Sequence, residues 1–162
     1  MRRHWPQIQE CLSILGYEVK RFASDGIEIR FTLSPVTKKH KKTSPLVEEV
    51  KSQLPANLPT NQQMKTNIYS CLGSMLDQYR MLIEQRRNPK KKIIFVLTDG
   101  LWQPYSAENL EEPLRNLVSS LSRNQSPRDQ IGIQFIQFGH DPEATHLLQV
   151  LDKLPILGIV ER

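Results

Sequence analysis

A continuous apolar run at residues 93–97 (IIFVL) limits the fold of this 162-residue chain more than any other feature. A strand with one face in water alternates apolar and polar residues, whereas a uniformly apolar strand is typical of a parallel sheet covered on both faces. Asn88-Pro89 and three lysines precede the run and end the helical pattern before it. We therefore predict a strand over 93–97, near the centre of a parallel sheet.

Amphipathic helical patterns alternate with the predicted strands. The longest runs from Thr66 to Ile83 and keeps one face apolar over about five turns, by the 3.6-residue repeat. Such alternation predicts an α/β fold with right-handed crossovers, a Rossmann-like three-layer α/β/α arrangement with a mostly parallel sheet and one antiparallel edge strand. The other predicted helices are 5–16, 106–122 and 144–151, and the other predicted strands of this part are 131–138 and 156–160.

The region before the long helix has a different composition. Residues 17–22 (YEVKRF) and 27–33 (IEIRFTL) favour two strands joined by a turn, and the second alternates as a half-buried strand near a sheet edge does. Residues 34–62 hold four prolines, the basic run 38–42 and a short helical stretch near 46–54. We interpret 34–62 as a loop-rich basic insertion.

The composition excludes several classes of protein. Apolar residues make up 38% and charged residues 24%, which fits a globular chain. The net charge of +5 lies partly in two short lysine runs, which favours solvated loops over a specific nucleic-acid surface. No segment predicts membrane insertion or secretion, and Cys11 and Cys71 lie at helical spacing among apolar residues. We expect a cytoplasmic, intracellular chain with reduced thiols.

The segment after the central strand reads Thr98-Asp99-Gly100. It places a carboxylate at the carboxyl end of the strand, where a cation or phosphate binds in parallel sheets. Thr66 begins the long helix, either as an N-cap hydroxyl or as a metal ligand facing the same crevice. Trp102 and Tyr105 follow closely and suit a partner-binding surface, although Trp102 also suits a cover over the helix below it. His140-Asp141 follows the next strand, and we expect it to cap a helix.

The chain resembles a von Willebrand factor A domain of the intracellular kind found in many eukaryotic, notably fungal, proteins. The resemblance covers nearly all of residues 1–162 and implies a single domain. It depends on the order and spacing of several segments that are weak individually. These segments are 24–31 (SDGIEIRF), 66–68 (TNI), 93–100 (IIFVLTDG), 134–144 (QFIQFGHDPEA) and 151–152 (LD).

The resemblance implies a metal-ion-dependent adhesion site with Thr66 and Asp99 as metal ligands. The family's Asp-x-Ser-x-Ser segment does not occur in this sequence, so three expected ligands are missing. Because magnesium requires near-octahedral oxygen coordination, we expect a degenerate site that binds Mg²⁺ weakly or not at all. The family's first central strand is missing as well, and we interpret the chain as an incomplete domain, truncated at its N-terminus.

The function that follows is a protein-interaction module and not an enzyme. The resemblance implies a protein partner at the face that carries Thr66 and Asp99, with Asn67, Trp102 and Tyr105 as contact residues. Two alternatives stay open. One is a metal-assisted hydrolase at the same crevice, with Asp99 and with His140 as base. The other is non-specific binding of acidic polymers through the basic run 38–42, which predicts a steep dependence of affinity on salt.

Overall fold

The chain is a mixed α/β protein, which confirms the predicted class at that level. The chain divides into two compact units, Met1–Thr66 and Asn67–Arg162. Four α-helices and five strands lie within the residues that the computed structural model describes. These residues are 2–19, 26–32, 34–40, 48, 52, 68–85, 87, 89–101, 108–153 and 160–161.

The first unit begins with a 3₁₀ turn, Arg2–His4, that leads into helix α1, Trp5–Val19. Ile8 and Gly16 are its buried residues. The predicted opening helix is confirmed, but it continues past Gly16, so the strand predicted over 17–22 is wrong for 17–19. A glycine inside a helix costs about 1 kcal/mol, which neighbouring turns can offset. Residues 20–22 lie outside the described residues.

A hairpin follows, in which strand β1, Ile27–Phe31, pairs antiparallel with strand β2, Ser34–His40. The predicted strand 27–33 is confirmed for 27–31, whereas Thr32 is a turn residue and 33 lies outside the described residues. Its partner is not 17–22 but 34–40, which belongs to the segment predicted to be a loop-rich insertion. Proline and lysine suggested a loop, yet both are common on edge strands, and within the described part of the chain each of these two strands is an edge. The ladder is irregular between Arg30 and Phe31.

The second unit contains three helices and a parallel sheet in which β4 lies between β3 and β5. Its predicted helices and strands are confirmed where they fall on described residues, except that the predicted strand 131–138 ends at Gln137; 66–67, 106–107 and 156–159 lie outside the described residues. The helices are α2 (Ile68–Glu84), α3 (Glu108–Arg123) and α4 (Pro142–Asp152), and the strands are β3 (Lys92–Thr98), β4 (Ile131–Gln137) and β5 (Val160–Glu161).

One face of this sheet carries the core. Alternate residues of β3 and β4 are buried, and together with apolar residues of α2, α3 and α4 they form one cluster. Both crossovers, β3–α3–β4 and β4–α4–β5, step in the same direction, so right-handed connections put α3 and α4 on that face. The buried strand residues are Ile94, Val96, Thr98, Ile131, Ile133 and Phe135.

The position of β3 differs from the prediction. Among the described residues β3 has a hydrogen-bonded neighbour on one side alone, whereas β4 is the middle strand. Ile93 is 65% exposed, and Phe95 and Leu97 are half-buried. A uniformly apolar strand is therefore not covered equally on its two faces within the part of the chain that the structure describes.

A buried polar network fixes the end of the sheet at which β3 and β4 begin. The Tyr79 hydroxyl lies 2.6 Å from the Lys90 carbonyl oxygen and 3.1 Å from that of Gln130. The Gln130 amide nitrogen donates to the Tyr79 oxygen at 2.9 Å and to the Pro89 carbonyl at 2.6 Å. Burial raises the pKa of Tyr79, and the Gln130 hydrogen bond partly opposes that rise. The phenol therefore stays protonated and donates at neutral pH.

We expect Tyr79→Phe to lower the free energy of unfolding by about 1 to 3 kcal/mol, because it leaves buried polar groups without a partner. Urea denaturation monitored by circular dichroism measures this loss. Tyr17→Phe is the matched control, since Tyr17 is 70% exposed and lies on α1. An equal effect of the two substitutions would contradict a stabilising role for the network.

Candidate functional site

The segment that follows β3 is held in a tight turn. Thr98 is buried, and its carbonyl oxygen accepts a hydrogen bond of 2.8 Å from the N–H of Phe138, the residue after β4. The Thr98 hydroxyl oxygen accepts from the N–H of Gly100, also at 2.8 Å. The Asp99 carboxylate accepts from the N–H of Leu101 at 3.4 Å. These contacts place Asp99 at the carboxyl edge of the sheet, as predicted, where β3 and β4 both end.

Gly100 brings this turn against helix α4. Its φ is +75°, a conformation that residues with a Cβ rarely adopt. A Cβ added there would overlap the Cβ of Ala144 and lie 3.1 Å from the Ala144 Cα. Two small residues therefore permit the close approach, and the approach fixes the backbone on which Asp99 is carried.

Asp141 caps helix α4 beside this turn. Its carboxylate oxygen accepts from the N–H groups of Glu143 and Ala144, both at 3.0 Å, and Pro142 occupies the first helical position. The capping role predicted for His140-Asp141 is confirmed for Asp141. His140 is exposed, and it follows β4 at the same edge of the sheet at which Asp99 follows β3.

The structure describes one of the five predicted site residues. Asp99 is placed as given above; Thr66, Asn67, Trp102 and Tyr105 lie outside the described residues. Leu101, next to Asp99, is 39% exposed and adds an apolar side chain to the edge. The described part of the surface thus combines a carboxylate with an apolar neighbour on a rigid turn.

The described residues alone do not supply a complete set of magnesium ligands. At the turn they supply one carboxylate, from Asp99, and one hydroxyl, from Thr98. Magnesium takes six oxygen ligands and releases its waters reluctantly. Nowhere in the described ranges do three or more His, Cys, Asp or Glu side chains form a group that could hold a metal.

The basic run lies partly on a strand. Lys38, Lys39 and His40 belong to β2, and Lys39 pairs in register with Glu28 of β1. Glu28 in turn accepts from Arg30 at 2.6 Å. A carboxylate within the hairpin therefore offsets part of the charge on which binding of an acidic polymer depends.

Sequence reasoning missed Ala144 and the N–H of Phe138. Both fix the turn that carries Asp99, and neither bears a functional group that draws attention in the sequence. The available signal was a glycine directly after Asp99 together with an alanine in the first turn of a later helix, since paired small residues allow backbones to approach closely.

We expect Gly100→Ala to lower the free energy of unfolding by about 2 to 4 kcal/mol, from the positive φ and the overlap with Ala144. Chemical denaturation measures it. In a double-mutant cycle, Ala144→Gly should recover part of this loss, because it removes the overlapping carbon. Gly132→Ala is the matched control, since a Cβ there meets nothing within 4 Å. Additive effects of Gly100→Ala and Ala144→Gly would contradict the proposed approach.

Comparisons with known proteins supply no family for the chain. No protein family, no curated protein and no solved structure matches it. Among the described helices, none is long and apolar enough to cross a membrane.

Proposed function

We propose that this chain is a protein-interaction module of the von Willebrand factor A type, whose partner docks at the carboxyl edge of the parallel sheet. The observation that carries the proposal is the turn at the end of β3, in which Gly100 packs against Ala144 of α4 and the neighbouring Asp99 carboxylate lies at the carboxyl edge of the sheet. In parallel sheets of α/β proteins, ligands bind at this edge. The module acts by binding and not by catalysis.

The proposed fold is the three-layer, Rossmann-like arrangement with a mostly parallel sheet. Its support is the chemistry of the sheet face opposite the core. Ile93, Phe95 and Leu97 alternate with buried residues along β3, and Ile136 is half-buried beside Leu97 in the register of β4. Such an apolar face is stable in water only when another layer covers it.

Recognition at the edge proceeds through the Asp99 carboxylate itself. With a degenerate set of metal ligands a cation is weakly bound or absent, and the carboxylate itself contributes to the partner contact. A guanidinium or ammonium group is its complement, because charge-assisted hydrogen bonds to carboxylates are short and strong. Leu101 and the aromatic residues Trp102 and Tyr105 supply the apolar contacts that dominate many protein interfaces, and Asn67 adds a polar one.

We expect Asp99→Arg to abolish capture of the partner, because it places a cation where the partner's cation binds. The full chain, immobilised, is exposed to cell extract, and bound proteins are quantified by mass spectrometry. Asp77→Arg is the matched control, since Asp77 lies on α2 with its side chain 54% exposed. Support requires proteins that bind wild type and Asp77→Arg equally but not Asp99→Arg. An identical set for all three chains would contradict docking at this edge.

Partner binding should also be independent of divalent cations. We expect the same captured proteins in millimolar magnesium and in chelator, and a shift of less than about 1 °C in the melting temperature of the chain. A ligand that binds only the folded state at concentrations well above its Kd must raise that temperature clearly. A magnesium-dependent shift that Asp99→Asn removes would show that the metal site is functional.

A further inference from the structure

The side of β3 that faces away from β4, hereafter the outer edge, has the properties of a pairing surface. Thr98 directs its carbonyl oxygen towards β4, since it accepts from Phe138. Backbone groups alternate between the two sides of a strand, so Ile93, Phe95 and Leu97 direct their N–H and C=O groups to the outer edge. Among the described residues no strand pairs with this edge. An apolar edge with unpaired backbone groups is a template for another strand.

Charge restricts the direction in which another β3 can add. Lys90, Lys91 and Lys92 lie at the start of the strand, and Asp99 follows its end. Two β3 strands paired in parallel would bring six lysines together. Antiparallel pairing separates the lysines and sets the basic end of each strand beside the acidic end of the other, which is the favourable arrangement.

The outer edge of β3 is complementary to itself in one register. With Phe95 opposite the partner's Phe95, Ile93 lies opposite the partner's Leu97, and by symmetry Leu97 lies opposite the partner's Ile93. In all three pairs the backbone groups of both residues face outward. Pairs of this kind exchange two hydrogen bonds each, which gives six hydrogen bonds in total. The same register sets Lys91 opposite the partner's Asp99, twice by symmetry. The Lys91 ammonium also contacts the Asp129 carboxylate, so two carboxylates would share it.

We propose that two copies of this chain associate through the outer edges of β3, antiparallel and centred on Phe95. The contact is isologous and closes as a twofold dimer, which consumes both edges and prevents further growth. It joins two three-stranded parallel sheets into one sheet of six. Because a short strand edge is a small interface, the dimer is weak, with a Kd of about 1 to 100 µM. This inference does not depend on the proposed function.

Sedimentation velocity of the full chain over a wide range of concentrations tests the association. We expect a reversible equilibrium between monomer and dimer. Ile93→Lys should raise the Kd at least about tenfold, because it places a charge in both symmetry-related Ile93–Leu97 pairs. Met81→Lys is the control, since Met81 is 51% exposed on α2, and it should leave the Kd unchanged. A chain that stays monomeric throughout, or equal effects of the two substitutions, would overturn the proposal.

The register is tested by exchanging charges. Lys91→Glu and Asp99→Lys should each weaken the dimer, because each places like charges opposite one another. The double variant should recover most of the wild-type affinity, although Lys91→Glu alone also removes the contact with Asp129. A double variant no tighter than the weaker single variant would overturn the register.

Hydrogen exchange locates the surface independently of any substitution. The amide protons of Ile93, Phe95 and Leu97 should exchange more slowly as the concentration of the chain rises. Protection that appears instead at the hairpin of β1 and β2, with none at these three amides, would place the association elsewhere and overturn the proposal.

Discussion

The parallel ladder between β3 and β4 is the constraint on which the second unit depends. It aligns Lys92 with Ile131 and Thr98 with Gln137, so the two strands begin together and end together. The Tyr79 and Gln130 network holds the ends where the strands begin, and the approach of Gly100 to Ala144 holds the ends where they finish. A slip of one residue would turn the buried residues of a strand to the opposite face, so register and core stabilise each other.

The sequence predicted the second unit well because its helical periodicities are long and turn residues mark the ends of its strands. The 17 residues of α2 exceed the length at which helix and strand patterns are confused. The apolar run of β3 is short, and its length together with the flanking Pro89 and Gly100 favours a strand over a buried helix. The first unit was predicted less well because its patterns are short. Residues 17–19 alternate for too short a distance to distinguish strand from helix. The pairing of β1 with 34–40 was missed because Pro35, Lys38 and Lys39 favour a loop.

At the candidate site, too, the sequence predicts the features that are local in the chain and misses those that depend on distant residues. Asp99 could be predicted, because a carboxylate and a glycine directly after a buried strand are adjacent in the sequence. The contact that fixes its turn could not, because Gly100 and Ala144 are far apart in the chain and meet only when α4 is placed against the strand ends. The position of β3 beside β4, with a hydrogen-bonded neighbour on one side alone among the described residues, was not predicted either. A uniform apolar run does not specify on which side the neighbouring strands lie.

Asp99 links the two proposals physically. In the proposed function it contacts a cationic group of the partner, and in the proposed dimer it lies opposite Lys91 of the second copy. One carboxylate cannot bind both cations fully, so partner and dimer compete for it, and by linkage each weakens the other by the same factor. The competition is limited, because the six backbone hydrogen bonds of the paired edges do not involve the carboxylate. Partner binding would therefore loosen the dimer without dissociating it completely.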